Sequence, residues 1–162
     1  MIISKVTFLC MGRLKEAYWR DAVAEYTKRL GAFCKLQITE IEPERLPDAP
    51  SDTQIVAALD REGEKILSKI PAGATVIALC IEGKTMPSEA LADFVARSAS
   101  GGSSHLVFII GSSYGLADTV KRAANLRLSM SEMTFPHQLA RVMLLEQLYR
   151  SMKILGGGTY HK

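Results

Sequence analysis

Two short, almost unbroken apolar runs constrain this chain more than any other feature. They are Ala74–Ile81 (ATVIALCI) and Leu106–Ile110 (LVFII). A strand apolar on both faces must be covered on both faces, which is the situation of a parallel strand flanked by helices. Neither run approaches the ~20 residues that a membrane-spanning helix needs.

The segments around these runs have the matching periodicity. Ile2–Cys10 carries Ile2, Val6, Phe8 and Cys10 at even spacing, and Lys35–Glu42 carries Leu36, Ile38 and Ile41, so both read as strands. Leu126–Ser129 is a further short strand. Trp19, Ala22, Val23, Tyr26 and Leu30 follow helical spacing, with Gly31 as the stop. Ser51 or Asp52 caps a second helix with Ile55, Leu59, Ile66, Leu67 and Ile70 on one side, ended by Pro71-Ala72-Gly73. Ser88 caps a third helix bearing Leu91, Phe94 and Val95. Ala117–Asn125 is a short fourth, and Pro136 opens a last helix running to about Leu155. Met11–Lys15, Pro43–Pro50 and Ser98–Ser104 are loops, and Glu82-Gly83-Lys84 is a turn. Strict alternation of strand and helix predicts one α/β domain over residues 1–162, a mostly parallel sheet with helices on both faces.

Composition narrows the setting. A chain of 162 residues, 48% apolar, is long enough for a real core. MIISKVTFLC lacks the basic start of a signal peptide, so a cytoplasmic protein with no membrane partner is expected. Cys10, Cys34 and Cys80 show no CxxC spacing, and their odd number argues for buried free thiols. His105, His137 and His161 show no ligand spacing with the cysteines, so no metal is expected. The net charge is +3, but residues 104–162 hold seven basic and three acidic side chains. That excess suits an anionic partner such as RNA, although it is small taken alone.

The last helix leaves little polar face. Leu139, Ala140, Val142, Met143, Leu144, Leu145, Leu148, Tyr149, Met152, Ile154 and Leu155 surround it. A helix apolar nearly all round must be covered on most sides. A second subunit covers a terminal helix more easily than its own small domain does, so a homodimer is expected, and a purely intramolecular core is the alternative.

Candidate chemistry collects in the same third of the chain. Gly111-Ser-Ser-Tyr-Gly115 follows a buried strand, where a glycine lets backbone approach a ligand. Its glycines are not spaced as GxGxxG, so a dinucleotide fingerprint is unsupported, and by itself the loop is equally a tight turn. Met130-Ser131-Glu132-Met133-Thr134-Phe135 is a loop rich in apolar side chains. It either packs on the domain or forms a pocket for a flat apolar group such as an adenine ring. His137 lies in the first turn of the long helix, where the dipole favours a neutral, structural imidazole. Arg141 and Arg150 interrupt the apolar helix, and Glu146 stands four residues before Arg150. Gly156-Gly157-Gly158 leads to Thr159-Tyr160-His161-Lys162. These residues offer stacking, proton transfer and phosphate contact to an unstacked RNA base, although terminal tails are usually disposable.

The sequence as a whole resembles the RlmH family, small SPOUT-class methyltransferases of bacterial ribosomes. The likeness rests on IIGxxxG, on LSxSxMTFPHxLxRVxLxEQxYR and the terminal YHK, and on MGRLKEAYWRDAVAEYTKRLG, EGEKIL and VIALCIEGK in the first half. It spans essentially the whole chain. It implies a SPOUT-type fold with a C-terminal trefoil knot, a rare feature in any protein. It also implies a homodimer, S-adenosylmethionine as methyl donor, and N3-methylation of a pseudouridine in 23S rRNA of the large subunit or assembled ribosome. By the same resemblance, Leu79, Gly111, Met130, Ser131, Glu132, Met133, Thr134 and Phe135 hold the cofactor. The family's glycine pair after the strand reads Gly111-Ser112 here.

His161 and Tyr160 are then the leading catalytic candidates, for proton handling or base placement. Arg141, Glu146 and Arg150 come second, for orienting the target. Two other readings stand beside this one: a SPOUT-like enzyme acting on another RNA such as tRNA, and a non-catalytic ribosome assembly factor. The lack of an appended RNA-binding domain favours a large preassembled target.

Overall fold

A computed structural model describes residues 3–157. It contains five strands and five helices in strict alternation: β1 (Lys5–Met11), α1 (Ala17–Leu30), β2 (Lys35–Ile41), α2 (Asp52–Leu67), β3 (Thr75–Lys84), α3 (Ser88–Ser100), β4 (His105–Ile110), α4 (Asp118–Ala123), β5 (Leu126–Leu128) and α5 (His137–Leu155). All strand pairings are parallel, in the order β2-β1-β4-β3-β5. The predicted single-domain α/β architecture is therefore the observed one.

Period-two alternation divides each central strand between two cores. Val6, Phe8 and Cys10 of β1 and Leu106, Phe108 and Ile110 of β4 face α1, α3 and α5, where Leu30, Leu91, Val95, Leu144, Leu145 and Leu148 are buried. Leu9, Met11, Val107 and Ile109 face the other way, with Val76 and Ala78, onto Ile66 of α2 and Val120 of α4. Phe8 and Phe108 are register partners with ring centroids 4.9 Å apart, an aromatic pair at the middle of the sheet.

α5 lies between α1 and α3, so its buried row is covered within the chain. Tyr149 of α5 meets both Tyr26 and Phe33 by ring contacts. Leu139, Val142, Met143 and Ile154 are left half-buried.

Several local expectations need correction. Glu82-Gly83-Lys84 is not a turn. β3 continues through it with an irregularity that brings both Leu79 and Lys84 into register with Leu128. Gly83 permits this, because a Cβ there would lie 2.7 Å from the Arg127 carbonyl oxygen. Ser88 does not cap α3, whose N-cap is Pro87. Its hydroxyl instead bonds Oε1 of Gln147 on α5 at 2.7 Å. Ser98–Ser100 belong to α3 rather than to a loop. Of the two caps considered for α2, Ser51 is the one used: it forms a capping box with Gln54.

Candidate active site

Parallel strands place all their C-terminal ends on one edge. There the chain changes direction: β1 leads through α1 to β2 on one side, and β4 leads through α4 to β5 on the other. Such switch points are the usual ligand crevices of open α/β sheets.

A cavity of about 600 Å³ opens at the ends of β3 and β4, beside β5 and the start of α5. That is within the ~300–1,000 Å³ typical of small-molecule sites. The end of β3 supplies Leu79, Cys80, Ile81 and Glu82. The β4–α4 loop supplies Gly111 through Leu116, and the segment before α5 supplies Met130, Ser131, Met133, Thr134 and Phe135. A smaller cavity of about 180 Å³ adjoins it at the ends of β1 and β2. The two share Ser112, Ser113, Tyr114 and His137.

The β4–α4 loop is a closed turn. The Gly115 N–H donates to the Ser112 carbonyl at 2.9 Å, and Ser112 and Gly115 form an antiparallel bridge. Gly115 takes φ +96°, a conformation natural to glycine. A Cβ on Gly111 would run into the Gly115 carbonyl, so the missing side chain is what lets the turn close.

The loop before α5 is held by Ser131. Its hydroxyl accepts from the Met133 N–H at 3.0 Å, and its carbonyl accepts from the Ser129 hydroxyl at 2.9 Å. Met130 packs against the core, whereas Met133 is 73% exposed at the cavity rim. The loop thus packs on the domain through Met130 and also lines the cavity.

Charges also face the cavity. Glu82 and Lys121 are ion-paired on its wall. The Lys121 hydrogen bond holds the Glu82 carboxyl below its usual range, and the Glu82 bond raises Lys121. His137 at the start of α5 is held below its ordinary value by burial and by the Arg141 charge. Burial raises the Cys80 thiol, and nearby Glu82 adds to this.

Seven of the eight residues expected to hold a cofactor line one cavity: Leu79, Gly111, Met130, Ser131, Met133, Thr134 and Phe135. Glu132 is exposed and not part of the lining. Arg141 is held inside the fold. It is 2% exposed, donates to Glu40 at 2.8 Å and to the Gly12 carbonyl at 3.1 Å, and lines neither cavity. Glu146 and Arg150 form the expected i,i+4 ion pair at 2.7 Å, on α5 away from the cavity. Tyr160 and His161 lie outside the described residues.

Sequence reasoning missed Ile81, Glu82, Tyr114 and Lys121 as lining residues, and it missed Glu62, a buried carboxylate of α2. For Glu62 a signal existed. It continues the row Ile55, Leu59, Ile66 at helical spacing, so it is an acid on an apolar stripe.

The lining suits an adenosyl group. Leu79, Ile110, Leu116 and Met130 give apolar walls for a flat ring. Gly111 lets the turn on one wall close, and Glu82, paired with Lys121, puts an ion pair on another. Among the described residues no cluster of His, Cys, Asp and Glu could hold a metal ion, and no helix is long and apolar enough to cross a membrane.

A doubly wound parallel sheet with a cavity at its strand ends, built from two loops and a helix start, defines an α/β protein with a crevice of small-molecule size. The sequence model of a family described as predicted SPOUT methyltransferases matches residues 4–161, and the chain belongs to that family. SPOUT methyltransferases use S-adenosylmethionine as methyl donor. A solved structure of a probable methylase family protein from Haemophilus influenzae Rd KW20 is similar in fold. Its TM-score is 0.52 at 10% identity, covering 99% of this chain and 71% of that one.

Proposed function

We propose that this methyltransferase acts as a homodimer on 23S rRNA of the large ribosomal subunit, methylating N3 of a pseudouridine. The observation that carries the methyl-transfer half is that Leu79, Gly111, Met130, Ser131, Met133, Thr134 and Phe135 line one cavity in a SPOUT family member. The RNA half rests on the FPHQLARVMLLEQLYR run, the terminal YHK and the basic last third of the sequence. The same reading carries a C-terminal trefoil knot and cytoplasmic ribosome maturation.

When bound, S-adenosylmethionine supplies a methyl on a sulfonium, already a strong electrophile. The protein's main task is then alignment. Gly111 and the 130–135 loop hold the donor, while Glu82 and Lys121 fix charge on the cavity wall. The pseudouridine N3–H lies between two carbonyls and must lose its proton. His161 and Tyr160 of the tail handle that proton and place the base. In a dimer the tail of one subunit completes the site of the other.

Mass spectrometry of rRNA from a strain lacking the gene tests substrate and reaction together. The expected result is loss of one methyl on one pseudouridine. An unchanged 23S rRNA with a methyl lost from a tRNA moves the substrate. No methyl lost anywhere, with no S-adenosylmethionine binding by calorimetry, leaves an assembly factor. Deleting Gly157–Lys162 should abolish methylation while preserving dimer and cofactor binding, and full activity in that truncation refutes the role of the tail.

A further inference from the structure

We propose that Glu62 of α2 is a positioning residue for the cofactor loop, acting through Ser112. This inference rests on the reading of the larger cavity as the methyl-donor site. Glu62 is 4% exposed in a helix whose other buried positions are Ala58, Gly63 and Ile66. A carboxylate there is costly unless both oxygens are satisfied. Both are. Oε1 accepts from the Ser112 hydroxyl at 3.0 Å, and Oε2 accepts from the Glu44 N–H at 2.9 Å.

The two bonds tie α2 to two different loops, the one after β4 and the one after β2. Ser112 belongs to the turn that lines both cavities, and Glu44 to the segment after β2 that lines the smaller one. The next residue tightens the same joint. A Cβ on Gly63 would lie 3.1 Å from Cβ of Ala117 and 3.3 Å from Oγ1 of Thr119, so α2 packs directly against the end of the loop and the start of α4. The Glu62 carboxylate pins the second loop residue while Gly63 seats its far end. The Gly111–Gly115 turn is thereby fixed from behind, with no contact from Glu62 to the larger cavity. The serine at position 112 gains a purpose: a glycine there would leave Oε1 without its partner.

Glu62→Ala, Glu62→Gln and Ser112→Ala test this by two readouts. Calorimetry with S-adenosylmethionine measures affinity, and hydrogen exchange of the ligand-free proteins follows the Gly115 amide that closes the turn. Glu62→Ala and Ser112→Ala should each weaken binding about tenfold or more, the scale of losing one such hydrogen bond. Both should speed exchange at Gly115. Glu62→Gln should restore most of both, because its carbonyl accepts from Glu44 while its amide donates to the Ser112 oxygen. A folded Glu62→Ala or Ser112→Ala protein with parental affinity and parental exchange overturns the proposal. If Glu62→Ala fails to fold, Ser112→Ala, which removes one hydroxyl, decides alone. If the parent itself binds no S-adenosylmethionine, the methyl-donor reading fails, and unchanged exchange in Ser112→Ala would separately refute the clamp.

Discussion

Arg141 and Glu40, 101 positions apart in sequence, are joined at 2.8 Å, and the joint ties the first turns of α5 to the end of β2. Arg141 also donates to the Gly12 carbonyl, and Glu40 accepts from the Leu14 N–H at 3.3 Å. Three chain segments, the loop after β1, the end of β2 and the start of α5, thus meet on one ion pair beside the two cavities.

The pair is asymmetric, and that sets which half matters more. The Arg141 side chain is 3% exposed, whereas that of Glu40 is 37% exposed. Removing the carboxylate leaves the buried guanidinium with the Gly12 carbonyl as its acceptor, a loss below the ~3–5 kcal/mol of fully buried pairs because Glu40 is partly screened by water. Removing the arginine leaves Glu40 able to reach water. Urea denaturation should therefore rank Glu40→Ala as more destabilising than Arg141→Met. The reverse order would show that the arginine packs rather than pairs.

Gly111→Ala should leave the fold intact and cut S-adenosylmethionine affinity more than tenfold. The new Cβ meets a backbone carbonyl, that of Gly115, which cannot swing aside as a side chain could. Circular dichroism checks the fold and calorimetry the affinity. Parental affinity would mean the turn is free to open.

Stability should fall as pH is lowered through and below about 6.5, the ordinary histidine value. His137 and His105 are both held below that value, chiefly by burial, with Arg141 and Lys5 adding to it. The unfolded chain therefore takes up protons first, and the stability of the neutral rings is present above 6.5 and lost on acidification. His105 also shares a 2.8 Å hydrogen bond with Thr7 Oγ1. Denaturation midpoints from pH 8 to 5 should flatten in a His105→Gln, His137→Gln double variant.

The three thiols should resist alkylation in the native state at pH 8. All are buried, with Cys10 pushed up to about 12 and Cys34 to about 11 by desolvation, and Cys80 raised as well. Thiolate is the reactive form, and almost none exists at that pH. Iodoacetamide followed by mass spectrometry should find all three modified only after denaturation.

The order of elements was legible because each strand and helix carries its own hydrophobic period. Even the Ser51–Gln54 capping box is local. The loops at Gly111–Gly115 and Met130–Phe135 could be picked out because glycine and exposed apolar residues are conspicuous in a sequence. What no local pattern contains is which strands are neighbours. The order β2-β1-β4-β3-β5 sets β3 between β4 and β5, and that placement turns the loops after β4 and β5 into the walls of one cavity. The apolar α5 shows the same limit. Its composition says it must be covered, but only the packed structure shows that α1 and α3 cover one row of it and leave Leu139, Val142, Met143 and Ile154 half-buried. Glu62 with Ser112 and Glu40 with Arg141 follow suit. A buried charge is stable only with a partner in hand, and the partner is found by folding, across 50 positions in one case and 101 in the other. The sequence by itself determined the alternating α/β elements, because hydrophobic periodicity is written residue by residue. The tertiary structure decided the site, because hydrogen bonds and cavities depend on distances that exist only after the strands have taken their places.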